Sequence, residues 1–190
     1  MRPRAIAFIT LLALAAAPGA AAGPSPTAGG GADPWSCGPW IAVAEQQYAI
    51  PTGLLQAVGL TETGMIPEEL RPWALNVDGE PFAVASLSLA ARTVMQRART
   101  VSVDVGCLQI NLRAHVETVP NLSWLFLPKY NAAYGGWYLA QLFARHGSWG
   151  QAVAAYHAGS PDRARGAAYC RRVAAAFAGL RPGASLACPE

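Results

Sequence analysis

A chain of 190 residues, 53% hydrophobic and 13% charged, has room for one domain with a real core and hardly for two. Its 14 basic residues fall to 12 when Arg2 and Arg4 of the leader are set aside, which against 11 acids reduces the formal charge from +3 to +1. No basic run of the kind nucleic-acid binding requires remains, and Arg163, Arg165, Arg171 and Arg172 read as one solvated helix face.

The first residues, MRPRAIAFITLLALAAAPGAAAG, place two arginines ahead of an apolar run from Ala5 to Ala17 and the small residues Ala20, Ala21 and Ala22 ahead of Gly23. This is the pattern of a secretory signal peptide over 1–22. The apolar run is shorter than the roughly 20 residues of a membrane span, and no later segment is long and apolar enough, so no span is expected in the mature protein. GPSPTAGGGADP, residues 23–34, reads as a flexible lead, and the folded domain is expected over 35–190.

CGPWIAVAEQQYA fits a helix from Cys37 to Ala49. Ile50-Pro51 interrupts it, and a second helix is expected from Thr52 to Thr63, with Gly64 as its stop. At about 100° per residue, Leu54, Leu55, Val58, Thr61 and Glu62 share one face of this helix. A carboxylate on an apolar stripe needs a partner such as Arg71, or it is a reactive acid, because desolvation disfavours its charged form and suits a glutamic acid to give up a proton near neutral pH.

WALNVDGEPF carries an Asp-Gly pair between short apolar runs, which predicts a hairpin. A helix from Ser86 to Arg99, an extended VSVDV and the segment GCLQINL follow. The remainder is helical over Asn131–His146, Trp149–Ala158 and Asp162–Ala178. The fold expected is mainly α, a helical domain with one small β-hairpin inserted after the second helix.

Four cysteines, Cys37, Cys107, Cys170 and Cys188, allow two disulfides in an oxidising compartment. The preferred pairing ties Cys37 to Cys170 or Cys188, and leaves open a buried free thiol at Cys107. No C-x-x-C pair occurs, and His115, His146 and His157 lack ligand spacing, so neither a metal nor a cofactor is expected.

Four fragments in order carry a resemblance: Glu62-Thr63-Gly64, Gly106-Cys107-Leu108-Gln109, Asn131 with Gly135, Tyr138 and Leu139, and Ala152 to Gly159 with Tyr156. Together they resemble the lytic transglycosylase domain of the lysozyme-like superfamily, in its soluble lytic transglycosylase and goose-type lysozyme branch, over roughly Cys37 to Val173. The resemblance implies that Glu62 is the single catalytic acid/base, acting between N-acetylmuramic acid and N-acetylglucosamine of peptidoglycan glycan strands. It implies substrate contacts for Thr63, Leu108, Gln109, Asn131 and Tyr156, with the Tyr156 hydroxyl as a donor. For Leu108 and Tyr138 core packing is an equal alternative.

Three positions depart from the family pattern. Thr63 stands for Ser, Cys107-Leu108 for Leu-Met, and His157 for the Asn that usually follows the tyrosine. His157 is expected to hold its loop as the amide would, with the added capacity to titrate. Asp78, Glu80 and Asp104 are acids that could serve a hydrolytic reaction in which a second carboxylate activates water; turn chemistry accounts for Asp78 and anchoring of the GCLQ turn for Asp104. A non-catalytic wall-binding module is a further alternative. A nucleophile at Cys107 or Ser160 is remote without a G-x-S-x-G elbow. The resemblance implies a periplasmic setting, and fold-level analogy points to secretion, conjugation or flagellar machinery of the cell envelope as partners.

Overall fold

The computed structural model describes residues 35–64, 73–82, 86–97, 102–115, 117–119, 121–158 and 163–190. The expected signal peptide, the lead, Arg71, Ser160 and Asp162 lie outside the described residues.

Helix α1 spans Gly38–Gln47, with proline in its first turn. Helix α2 spans Leu54–Thr63 between two glycines in the left-handed region, Gly53 (φ 93°) and Gly64 (φ 66°). It starts two residues later than the sequence suggests, because its cap comes from α1 instead of from Thr52. Glu45, 4% exposed, accepts the Gly53 N–H at 2.8 Å and the Gln56 N–H at 3.1 Å. That arrangement satisfies orphan amides of the first turn with a carboxylate, the charge the positive end of a helix favours. Burial nevertheless pushes the Glu45 pKa up, against the lowering effect of these amides and of Arg181.

The predicted hairpin is present as β1, Leu75–Val77, and β2, Glu80–Phe82, with Val77 opposite Glu80. Asp78 (φ 55°) and Gly79 (φ 92°) both occupy the left-handed region, as a two-residue hairpin turn of the Asp-Gly type requires. The sheet is larger than the hairpin. VSVDV supplies β3, Val103–Val105, and GCLQINL supplies β4, Ile110–Asn111, giving an antiparallel order β2-β1-β3-β4. Asp104, on β3, pairs with Asn76 on one side and Asn111 on the other.

Helix α3 spans Leu87–Arg97, α4 is the single turn Leu112–His115, and a 3-10 segment covers Leu122–Phe126. The long helices α5 (Pro128–His146), α6 (Trp149–Ala158) and α7 (Arg163–Leu180) follow. α5 packs on α1 and α6, and α7 packs on α2 and α6, so the core lies between α2 and these partners. No helix among the described residues is long and apolar enough to cross a membrane.

The disulfides differ from the preferred pairing. Cys37 joins Cys107, 70 residues away, and Cys170 joins Cys188, 18 residues away, with no cysteine left free. The physical reason is the path of the chain. Cys37 caps α1 over the turn that follows β3, while the segment after α7 folds back onto the helix that carries Cys170. An added Cβ at Gly150 of α6 would collide with the Ala187 carbonyl of that segment.

Candidate active site

Leu54, Leu55 and Val58 are fully buried and anchor α2, and the last turn carries Glu62 to the rim of the core with its side chain 12% exposed. The hydroxyls of Thr61 and Thr63 donate back to the carbonyls of Ala57 and Gly59, so neither competes for the carboxylate. Glu62 Oε1 lies 3.7 Å from His157 Nδ1.

His157 is the penultimate residue of α6, and the loop it is expected to hold, 159–162, lies outside the described residues. Its ring stacks on Tyr169 of α7, with centroids 4.5 Å apart and an interplanar angle of 5°, and this places the imidazole edge toward Glu62. The Tyr169 ring is 1% exposed, and its hydroxyl finds no hydrogen-bond partner among the described residues. Burial above all, and next the Glu62 charge, pushes its pKa well above the usual tyrosine range.

Tyr156, on α6, donates its hydroxyl to the Leu108 carbonyl at 3.0 Å. Its pKa is also pushed well up, by burial first and then by Glu62, Tyr138, Tyr134 and Asp104. Asp104 faces the same space from the sheet. Burial raises its pKa, the Asn111 amide that donates to it at 2.6 Å lowers it, the Glu62 charge raises it, and His157 lowers it. Helices α2, α6 and α7 and strand β3 thus surround one carboxyl group with an imidazole, two phenols and a second carboxyl.

The turn Gly106–Gln109 between β3 and β4 forms the adjoining wall, and a buried clasp holds it. Asn131 of α5, 0% exposed, donates from Nδ2 to the carbonyls of Val105 (3.0 Å) and Leu125 (2.9 Å) and accepts the Leu108 N–H at 3.1 Å. Gly106 (φ 81°) is required here, since an added Cβ would sit 2.1 Å from Asn131 Nδ2. Leu108 is likewise 0% exposed and rests on Gly135, where any side chain would collide with it. Gln109 adopts φ 45° and ties its amide nitrogen to the carbonyls of Gly106 (2.7 Å) and Ala74 (3.3 Å).

Of the residues singled out in the sequence, Glu62 and Tyr156 come together in this space, and Thr63 follows Glu62 at the helix end. Leu108 and Asn131 lie beneath the turn with no exposed side-chain surface, so Leu108 takes the core-packing alternative and Asn131 is a clasp. Tyr169 and Glu45 escaped the sequence reading. A phenol on the otherwise apolar stripe of α7, with Gly166, Ala167, Cys170 and Val173, was a signal that a hydroxyl must find something to do. Glu45 gave no such signal, because a capping contact eight residues ahead depends on how two helices meet. Among the described residues no group of three or more His, Cys, Asp or Glu is placed to hold a metal ion.

The model of the family "Transglycosylase SLT domain" matches residues 39–173 of this chain. No curated protein and no solved structure matches it. The match covers most of the chain, and the chain belongs to the SLT transglycosylase domain family, whose activity is of the peptidoglycan lytic transglycosylase type.

Proposed function

We propose that Glu62 is the sole acid/base of a lytic transglycosylase that cuts the β-1,4 bond between N-acetylmuramic acid and N-acetylglucosamine without consuming water. The observation that carries this reading is the placement of one nearly buried carboxyl at a helix end, within a ring of polar groups from α6, α7 and β3. Glu62 gives its proton to the glycosidic oxygen as the bond to the muramoyl C1 breaks. The carboxylate so formed takes the proton of the muramoyl C6 hydroxyl as that oxygen bonds to C1. The acid is restored and a 1,6-anhydro end is left. One carboxyl suffices because the sugar brings its own nucleophile, whereas ordinary glycosidases need two.

Tyr156 cannot give its proton freely while it holds the Leu108 carbonyl, so it serves to fix the wall of the groove and to present an oxygen to the sugar. Gln109, with its amide nitrogen held, keeps its side-chain oxygen as an acceptor beside it. Thr63, next to the acid, is the remaining substrate-facing candidate.

A second reading rests on Asp104. Its carboxyl feels the Glu62 charge, and in a hydrolase it would activate water. Burial that favours its protonated form and an oxygen already engaged by Asn111 weigh against that use. Products decide the matter. Purified protein on cell-wall sacculi should release 1,6-anhydromuropeptides, Glu62→Gln should release none, and Asp104→Asn should leave the product type unchanged. Reducing muramic ends lost with Asp104→Asn would establish the hydrolase. Full glycan release by Glu62→Gln would remove Glu62 from the acid/base role, and a wild type that binds sacculi but releases nothing would favour a wall-binding module.

The pairing of all four cysteines favours an extracytoplasmic setting, and we place the protein in the periplasm after signal-peptide removal. Local wall opening for a secretion, conjugation or flagellar apparatus is the role that the size of the domain suggests.

A further inference from the structure

One surface of the molecule is left unused by the chemistry at Glu62. Trp124, Tyr130 and Trp137 are 41%, 40% and 36% exposed, three of the four large hydrophobic side chains exposed among the described residues. They are neighbours. Trp124 and Tyr130 stack with centroids 5.2 Å apart at 23°, Tyr134 meets Trp137 at 5.4 Å, and together with Tyr48 and Val119 these rings line a cavity of about 220 Å³. Exposed aromatic clusters of this kind mark binding surfaces more often than they mark spare core.

The shelf is built rather than accidental. Tyr130, Tyr134, Trp137 and Tyr138 stand at i, i+4, i+7 and i+8 of α5 and therefore share one face over about 12 Å of helix. The Tyr134 ring is locked by hydrogen bonds of its hydroxyl with Thr118 (2.6 Å) and His115 Nδ1 (3.0 Å). Trp124 rides on a 3-10 turn capped by Asn121, which accepts the Ser123 N–H. Rings fixed in this way lose little freedom when a ligand arrives.

Two observations choose the occupant. The first is continuity with the Glu62 cleft: Tyr134 touches His115, His115 touches Tyr138 at 4.6 Å, and Tyr138 touches Tyr156 at 5.3 Å, so an unbroken run of rings joins the shelf to the site. The second is charge. Lys129, the single lysine of the chain, has its ammonium 5.8 Å from the Trp40 ring and 6.0 Å from the Tyr130 ring. Pyranose rings present flat C–H faces that stack on aromatic planes, and the peptide stems of peptidoglycan carry carboxylates that an ammonium attracts.

We infer that the α5 shelf of Trp124, Tyr130, Tyr134 and Trp137 is a glycan subsite, which holds sugar rings of the same peptidoglycan strand at a distance from the bond that Glu62 cleaves, with Lys129 meeting a stem carboxylate. This rests on the proposed substrate. The shelf makes the enzyme prefer long strands, because only a strand that spans both places gains from both.

Binding is measured by intrinsic fluorescence and by co-sedimentation, in the Glu62→Gln background so that no strand is cut, with purified glycan strands of two lengths. Adding Trp124→Ala and Trp137→Ala should weaken binding of long strands about tenfold and leave tetrasaccharides unaffected. Lys129→Ala should weaken only strands that carry peptide stems. An unchanged melting temperature shows that the exposed substitutions leave the fold intact, and Tyr130→Ala gives the same reading through a different ring. Long strands held as tightly by the double variant as by its parent would overturn the subsite, including the case in which the shelf receives a protein. A wild type that releases no anhydro product while the shelf variants still lose strand binding would overturn the reaction and keep the subsite.

Discussion

Replacing Asn131 by alanine separates two roles the residue could have, since a sugar contact costs activity alone and a clasp costs stability first. The side chain makes three buried hydrogen bonds, to the Val105 and Leu125 carbonyls and from the Leu108 amide. A buried polar group left without its partner costs about 1 to 3 kcal/mol. A water entering the space vacated would recover part of this, so the low end applies to each group, and Asn131→Ala should lose about 3 to 4 kcal/mol. That is a large share of the roughly 5 to 15 kcal/mol that holds a domain of this kind together. Urea unfolding followed by circular dichroism measures the change, with an unaltered m-value as the sign that the denatured state is unaffected. Asn131→Asp keeps the shape but loses the donors to both carbonyls and brings a buried charge, so it should cost at least as much. A variant within 1 kcal/mol of wild type that has lost most glycan release would refute the clasp and return Asn131 to the substrate.

The two disulfides should contribute unequally. In the chain-entropy model the 70-residue closure by Cys37–Cys107 is worth about 4 kcal/mol and the 18-residue closure by Cys170–Cys188 about 3 kcal/mol, so paired alanine substitutions should lower urea stability in that order, and the reverse order would refute it. Asp104 should give a pH signature. An acid whose native pKa lies above its unfolded value of 3.8 adds stability that is fully present below 3.8 and is lost as pH rises through the native value. The stability difference between Asp104→Asn and wild type should therefore move in favour of the variant as pH rises from 3 to 7, and a difference that stays flat over that range would show that Asp104 titrates as an ordinary carboxyl.

The sequence revealed most where the local pattern has only one physical outcome. Asp78-Gly79 could hardly be anything but a hairpin turn, and Trp149–Ala158 is a helix with the ends its breaks suggest. Glu62 was legible because a charge on an apolar stripe demands an explanation. In the sequence β3 reads only as an extended piece and β4 not as a strand at all, since pairing is a non-local event that two or three residues cannot announce. The contacts of Asn131 were not legible, because a family motif fixes a position without saying whether its side chain faces the ligand or the backbone. The cysteines were mispaired for a related reason: four residues admit three pairings, and only the fold shows that Cys37 passes over the turn at Cys107.

That last bond has a meaning in time. One end of it lies at the first turn of the folded domain and the other inside the turn that bears Gln109, so the cleft wall is fastened to the start of the domain by a link that forms only where thiols are oxidised. A chain still in a reducing compartment has the acid but not the fastened wall. In the periplasmic setting proposed above, the cleft wall would be fastened only on the side of the membrane where the proposed substrate lies.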